Sequence, residues 1–124
     1  MAKTVLIVED DLFLQGLEAT RLKKEGYDIL VATDSVETYA IIDGRRQIDL
    51  ILLDLMLPEV DGFTILAKIR KDKLYTNTPV IVFSNLSEES DMERARKIGI
   101  SEFLIKSNFD LGQLTSKIKN LIGI

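Results

Sequence analysis

The sequence predicts an α/β fold: five parallel strands in the order 2-1-3-4-5, doubly wound, with helices on both faces. Three observations lead there. Apolar runs such as Val5-Leu-Ile-Val-Glu-Asp-Asp11 and Ile48-Asp-Leu-Ile-Leu-Leu-Asp54 do not alternate apolar with polar residues, which suits parallel strands covered on both sides. Strand-like and helix-like segments alternate five times along the chain, the pattern of successive right-handed crossovers. Both runs stop on carboxylates, so charge gathers where strands leave the core. In an open parallel sheet that carboxyl edge binds ligands, at the switch point between the first and third strands.

Taken in order, Lys3 to Val8 is the first strand. The first helix spans about Asp11 to Glu25, capped by Asp11, with Leu14, Leu17 and Leu22 on one side and Gly26 as its stop. Asp28 to Ala32 is the second strand. Asp34-Ser-Val-Glu37 resembles a capping box and opens a helix carrying Val36, Tyr39, Ala40 and Ile42 that ends near Gly44. Asp49 to Leu53 is the third strand. Pro58 and Gly62 punctuate the loop after it, and Asp61 caps a helix carrying Phe63, Leu66 and Ile69. The fourth strand, Val80 to Phe83, follows Asn77-Thr78-Pro79. Ser87, Glu88 and Glu89 favour a helix start there, and the stripe Met92, Ala95, Ile98 runs on to Gly99. Phe103 to Ile105 is the fifth strand. Asp110 and Gln113 cap the last helix, whose stripe is Leu111, Leu114, Ile118, Leu121 and Ile122.

Composition narrows the chemistry. A chain of 124 residues fits one domain, 1–124, without linkers or repeats. There is no cysteine and no histidine, which removes thiolate and imidazole metal sites and the nucleophile systems built on them. Reactive groups must come from carboxylates, Lys, Ser or Thr. No apolar run approaches the roughly 20 residues that cross a bilayer, and no secretory signal precedes the first strand, so a cytoplasmic protein is the default. The net charge of −4 argues against direct nucleic-acid binding.

The residues just past the strands are Glu9-Asp10, Asp54, Ser84 and Lys106, with Thr33-Asp34 after the second. Three converging carboxylates repel one another and attract a divalent cation. Together with one nucleophile, one hydroxyl and one ammonium, they form a set suited to phosphoryl transfer. The pattern resembles the receiver domain of two-component response regulators, and nearly the whole chain takes part. The residues that carry the resemblance are Val8-Glu9-Asp10-Asp11, Leu53-Asp54-Leu-Met-Leu-Pro58 with Asp61-Gly62, Ser84, Phe103 and Lys106.

The resemblance implies a phosphorylation-dependent switch rather than a multiple-turnover enzyme, read here as a stand-alone receiver, with a receiver cut from a longer protein equally compatible. Asp54 is then the phospho-acceptor. Mg²⁺ is held by Asp10 and Asp54, by the Met56 backbone carbonyl, and by Glu9 mainly through water. Lys106 pairs with Asp54 and then with the phosphoryl oxygens. Ser84 swings in to donate to them, and Phe103 follows from a more exposed to a more buried rotamer. The implied partners are a histidine kinase or histidine phosphotransfer protein upstream and a protein target downstream, met through the face of helix four, strand five and helix five. No membrane is involved, and the protein is expected to be a monomer, with dimerisation on phosphorylation left open.

Taken singly, these residues have plainer readings. Asp11 reads as a helix cap rather than a metal ligand. Ser84 alone would be a turn residue and Phe103 alone a core residue. Arg94, Arg96 and Lys97 read as a solvated face, with a partner-docking role as the alternative. Two positions depart from the receiver pattern. Ser107 stands where proline often follows the lysine, so a trans bond and a reshaped loop are expected. Asn85 is larger than the residue usual after the hydroxyl, which predicts an altered phosphoryl lifetime. Two other functions compete. A Mg²⁺-dependent phosphatase with an Asp nucleophile would need an acid two residues after Asp54, where Met56 stands. A non-phosphorylated scaffold would not need the complete set.

Overall fold

Five parallel strands cross the middle of the computed structural model, which describes residues 2–123. They are β1 (Thr4–Val8), β2 (Asp28–Ala32), β3 (Leu50–Leu53), β4 (Val80–Ser84) and β5 (Glu102–Ile105), in the order β2-β1-β3-β4-β5. The helices between and after them are α1 (Leu12–Lys24), α2 (Ser35–Asp43), α3 (Gly62–Lys71), α4 (Glu89–Ile98) and α5 (Leu111–Ile122). The expected fold class and strand order are both observed.

The sheet divides the core into two. Leu6, Val8, Ile51, Leu53, Val80 and Val82 pack with Ile42 of α2, Phe63 and Leu66 of α3 and Ala95 of α4. Their sequence neighbours Val5, Ile7, Leu50, Leu52, Ile81 and Phe83 pack with Leu22 of α1 and with Leu114 and Ile118 of α5. Successive strand residues point to opposite faces, so a strand covered on both sides must be apolar throughout.

Helix phases depart from expectation in three places. In α1 the buried residues are Gln15, Glu18 and Leu22, while Leu17 is exposed along with Leu12 and Phe13. The inner face of α1 meets the carboxyl edge of the sheet, where the Gln15 amide donates to Glu9 O at 3.0 Å and Ala32 O at 3.3 Å. Ala32 O also accepts the Glu9 N–H, but Glu9 O depends on this amide, a donor that leucine lacks. In α2 the buried row is Ser35, Thr38 and Ile42, which leaves Val36 outside. In α5 the row through Leu114 and Ile118 continues to half-buried Ile122 and leaves Leu121 exposed.

The caps follow the sequence with two shifts. Asp11, Asp34, Asp61 and Asp110 each accept a backbone N–H in the first turn of their helices, and Asp110 with Gln113 forms a full capping box. Glu37 reaches one residue further back than a capping box requires, accepting from the Thr33 N–H at 2.6 Å and hydroxyl at 2.7 Å. Ser87 is not the cap of α4. Glu88 takes that position and makes no side-chain bond, so the N-terminus of α4 has no side-chain cap. The other end of α4 is anchored, because Arg70 donates to Gly99 O at 2.7 Å and also to the carbonyls of Tyr75 and Thr78.

Candidate acidic phosphoryl-transfer site

The carboxyl edge of the sheet gathers the side chains that the sequence placed after each strand. The ladder extends past β1 and β3: Glu9 N–H donates to Ala32 O and Asp54 N–H to Val8 O, each at 3.0 Å. Backbone pairing thus fixes both carboxylates at the switch point. Glu9 and Asp54 are buried, at 2% and 4% exposure, whereas Asp10 faces solvent. Glu9, Asp10 and Asp54 each bring an oxygen to within 4.8 Å of the others.

Lys106 closes the group from β5. Its ammonium lies 2.6 Å from Asp54 Oδ2 and 2.7 Å from Glu9 Oε1. The other Asp54 oxygen, Oδ1, accepts the Met56 N–H at 2.9 Å, and Glu9 Oε2 accepts the Asp11 N–H at 3.2 Å. Burial pushes the Glu9 carboxyl up to about 7; the hydrogen bond from Lys106 opposes this and the charge of Asp54 adds to it. For Lys106, burial works against the ammonium, but bonds to Asp54 and Glu9 outweigh it and raise its pKa above the ordinary lysine value. Three carboxylates facing one ammonium leave an excess of negative charge. An all-oxygen donor set of this kind, with one member open to solvent, suits a hard divalent cation such as Mg²⁺.

The loop after β3 is built around a close approach. Met56 and Asp61 form an isolated antiparallel bridge, and Gly62 N–H donates to Leu55 O at 3.2 Å. A Cβ on Gly62 would stand 2.4 Å from Leu55 Cα, so glycine is required there. Arg94 of α4 covers this loop. Its guanidinium lies 4.2 Å from the centroid of the Phe63 ring and 3.5 Å from Asp61. The sequence had suggested a solvated basic face or a partner-docking patch, and this contact within the chain was not foreseen.

Ser84 is fully buried at the end of β4, with its hydroxyl accepting from Leu86 N–H at 3.4 Å. Phe103 pairs in register with Val82, and Ser84 with Ile105. Both therefore lie toward the face covered by α2, α3 and α4, where Phe103 is half-buried against the core. Lys106–Asn108 forms a single 3-10 turn, and no peptide bond among the described residues is cis. The trans bond expected at Ser107 is present. Asn85 is exposed.

Sequence reading missed Gln15 and Glu18, polar residues at the core phase of a helix. The spacing 15, 18, 22, ending on Leu22, was the available signal. Glu18 is 2% exposed, and burial, assisted by the charge of Glu9, pushes its carboxyl up to about 8. In both Glu9 and Glu18 the folded value lies above the ordinary carboxyl value of 4.5. The unfolded chain therefore gives up these protons first. Stability that is complete below pH 4.5 falls as pH rises and levels off near 8, by up to about 1.4 kcal/mol per pH unit for each group still protonated in the fold. Metal-free protein is expected to melt lower at pH 8.5 than at pH 5, with a flatter profile for Glu18→Met. Equal melting of the wild type at both values would show that these protons are not retained.

Comparison with known proteins gives a consistent picture. The family model described as response regulator receiver domain matches residues 5–119. The DNA-binding dual master transcriptional regulator RpaA of Synechocystis is 33% identical over 118 residues, which cover 95% of this chain and 48% of that protein. The chain spans about half the length of the curated relatives it matches. The receiver domain of the Francisella response regulator 1452 superposes with a TM-score of 0.86 at 30% identity, covering 97% of this chain and 96% of the other. The receiver domain of the sensor histidine kinase PA1611 of Pseudomonas aeruginosa, solved with a magnesium ion in its active-site cleft, gives 0.83 at 26% identity over all of both chains. No helix among the described residues is long and apolar enough to cross a membrane.

Proposed function

Since the chain belongs to the response regulator receiver domain family of two-component systems, we propose that it is a phosphorylation-dependent signalling switch with Asp54 as its phospho-acceptor. The observation that carries this reading is the buried Asp54 carboxylate at the switch point, held by Lys106 and the Met56 N–H beside Glu9 and Asp10. The donor is a phosphohistidine of a histidine kinase or phosphotransfer protein. An Asp54 oxygen forms the new bond to phosphorus, the nitrogen–phosphorus bond breaks, and the imidazole leaves with the electron pair. This chain has no histidine to act as that donor itself.

Asp10, Asp54 and the Met56 carbonyl would hold Mg²⁺, with Glu9 acting mainly through water. When bound, Mg²⁺ supplies positive charge to the phosphoryl oxygens. Lys106 passes from the Asp54 carboxylate to those oxygens. Ser84, whose hydroxyl proton is not committed to the Leu86 N–H it accepts, turns to donate to them, and Phe103 packs into the space released. The face of α4, β5 and α5 then changes its protein contacts, a two-state element biased by a local charge event. The Met56 side chain cannot protonate a leaving group, which favours a switch over a turnover phosphatase. The DNA binding in the name of RpaA belongs to that protein, of which this chain matches about half.

The test is intact mass after incubation with acetyl phosphate and Mg²⁺, wild type beside Asp54→Asn. A single phosphoryl adduct that needs Mg²⁺ and is absent from the variant is expected; an adduct retained by Asp54→Asn would overturn the assignment. Mg²⁺ alone should also raise the melting temperature, by linkage worth about 1.4 kcal/mol at ten times its Kd. A melting curve unmoved across millimolar Mg²⁺ would remove the metal from the proposal.

A further inference from the structure

Glu18 Oε1 is the one buried side-chain oxygen or nitrogen among the described residues without a hydrogen-bond partner. Buried polar atoms are almost always satisfied, so this exception calls for an account. Glu18 lies on the inner face of α1, one turn beyond Gln15, whose amide touches the carbonyls at the ends of β1 and β2. The sheet face covered by α1 and α5 takes Val5, Ile7 and Leu104. Strand alternation carries Glu9 and Lys106 toward that same face. The charged groups acting on Glu18 are Glu9 after β1, Lys106 after β5, Asp54 after β3 and Asp11 at the cap of α1.

Lys106 presents the complementary deficit. An ammonium has three N–H donors. Two are directed to Glu9 Oε1 and Asp54 Oδ2, and no third acceptor is bonded to it among the described residues. The side of the sheet edge covered by α1 thus carries one unfilled donor on Lys106 and one unfilled acceptor on Glu18. We propose that Glu18 is a positioning residue for Lys106: its carboxyl group supplies the third acceptor of the ammonium, directly or through one buried water, and keeps Lys106 in the pocket when Asp54 releases it. Lys106 bridges the two carboxylates that a cation and a phosphoryl group must share. An alternative acceptor behind it lets the ammonium loosen from Asp54 without leaving a charge stranded. If Glu18 were only a core residue, a side chain of similar size without charge would improve stability and change nothing else.

The inference rests on Asp54 as the phospho-acceptor, and the experiment separates the two claims. Beryllofluoride with Mg²⁺ mimics the aspartyl phosphate, and its binding midpoint is read by fluorine NMR on the full chain for wild type, Glu18→Gln and Glu18→Met. Glu18→Met is expected to melt above wild type at pH 8.5 and yet to need about tenfold more beryllofluoride, the size of one charge-assisted hydrogen bond. Glu18→Gln keeps a carbonyl acceptor and should stay within about twofold of wild type, well under the effect of one such bond. In a Lys106→Met background the Glu18→Met change should no longer move the beryllofluoride midpoint, because it acts only through Lys106.

A wild-type midpoint retained by Glu18→Met, whatever happens to its melting, overturns this inference alone. Failure of the wild type to take beryllofluoride overturns the reading of Asp54 and this inference with it.

Discussion

Lys106→Met is expected to lower the stability of the metal-free protein by about 3 kcal/mol at pH 8, the range for stranding a partner of a buried ion pair. The Lys106 side chain is 15% exposed and touches Glu9 and Asp54, whose side chains are 3% and 5% exposed. Methionine keeps most of the aliphatic stem, so little of the loss would come from packing. What remains is two buried carboxyls without their counter-charge. Glu9 already sits near 7 with Lys106 beside it, and losing the ammonium raises it further. Its folded value then lies still further above that of the unfolded chain. The loss should therefore be largest at high pH and shrink toward pH 4.5, where the carboxyl is protonated in both states. Urea unfolding at pH 5 and pH 8 decides the matter. An equal loss at both would show that Lys106 contributes by packing, and no loss at either would mean that water already screens the pocket.

Gly62→Ala should be the most damaging single methyl in the chain. The added carbon would meet Leu55 Cα at 2.4 Å, Leu55 O at 2.6 Å and Leu55 C at 2.8 Å. All three are backbone atoms and cannot rotate away. The loop must open instead, breaking the Met56–Asp61 bridge and the Gly62 N–H to Leu55 O bond. Overpacking of this kind costs about 2–3 kcal/mol. The same opening displaces the Met56 carbonyl and the N–H that orients Asp54, so Mg²⁺ affinity should fall together with stability. Gly16→Ala is the matched control. It lies on the exposed side of α1 with nothing within 4 Å of the added carbon, and should stabilise the helix by about 0.5–1 kcal/mol. Thermal melts and Mg²⁺ titrations of the two variants would separate them; a Gly62→Ala protein as stable as wild type would show that the loop has room.

Much of this architecture is legible in the sequence because a parallel sheet leaves a coarse signature. A strand buried on both faces has no polar positions to confuse its reading, and the first polar residue after it marks the ligand edge. Glu9, Asp10, Asp54, Ser84 and Lys106 were all found this way; the structure brings Glu9, Asp10, Asp54 and Lys106 together and places Ser84 at the end of the neighbouring strand β4. The legibility weakens where a helix serves the site rather than the core. Leu17 was read as inward because leucine is apolar, but α1 turns Gln15 and Glu18 inward to meet strand-end carbonyls and the acidic pocket. Capping at α4 was misplaced by one residue, since Ser87 and Glu88 are both compatible with a first turn and only backbone geometry distinguishes them. The Met56–Asp61 bridge and the Arg94 contact with Phe63 are properties of loop closure, which residue spacing does not encode.

The amides of Glu9 and Asp54 are members of the sheet ladder, bonded to Ala32 and Val8. Their exchange with deuterated solvent should therefore require the whole domain to open. At the start of α4 no side chain caps the first turn, so its amides can exchange through local fraying. The two ends of the signalling path then run on separate clocks. On the proposed reading, the carboxylates that would receive the phosphoryl group keep their geometry for as long as the protein stays folded, while the uncapped start of α4 is expected to open by itself more often. Little backbone reorganisation stands between Asp54 and its chemistry, and most of the motion left to be biased lies in α4.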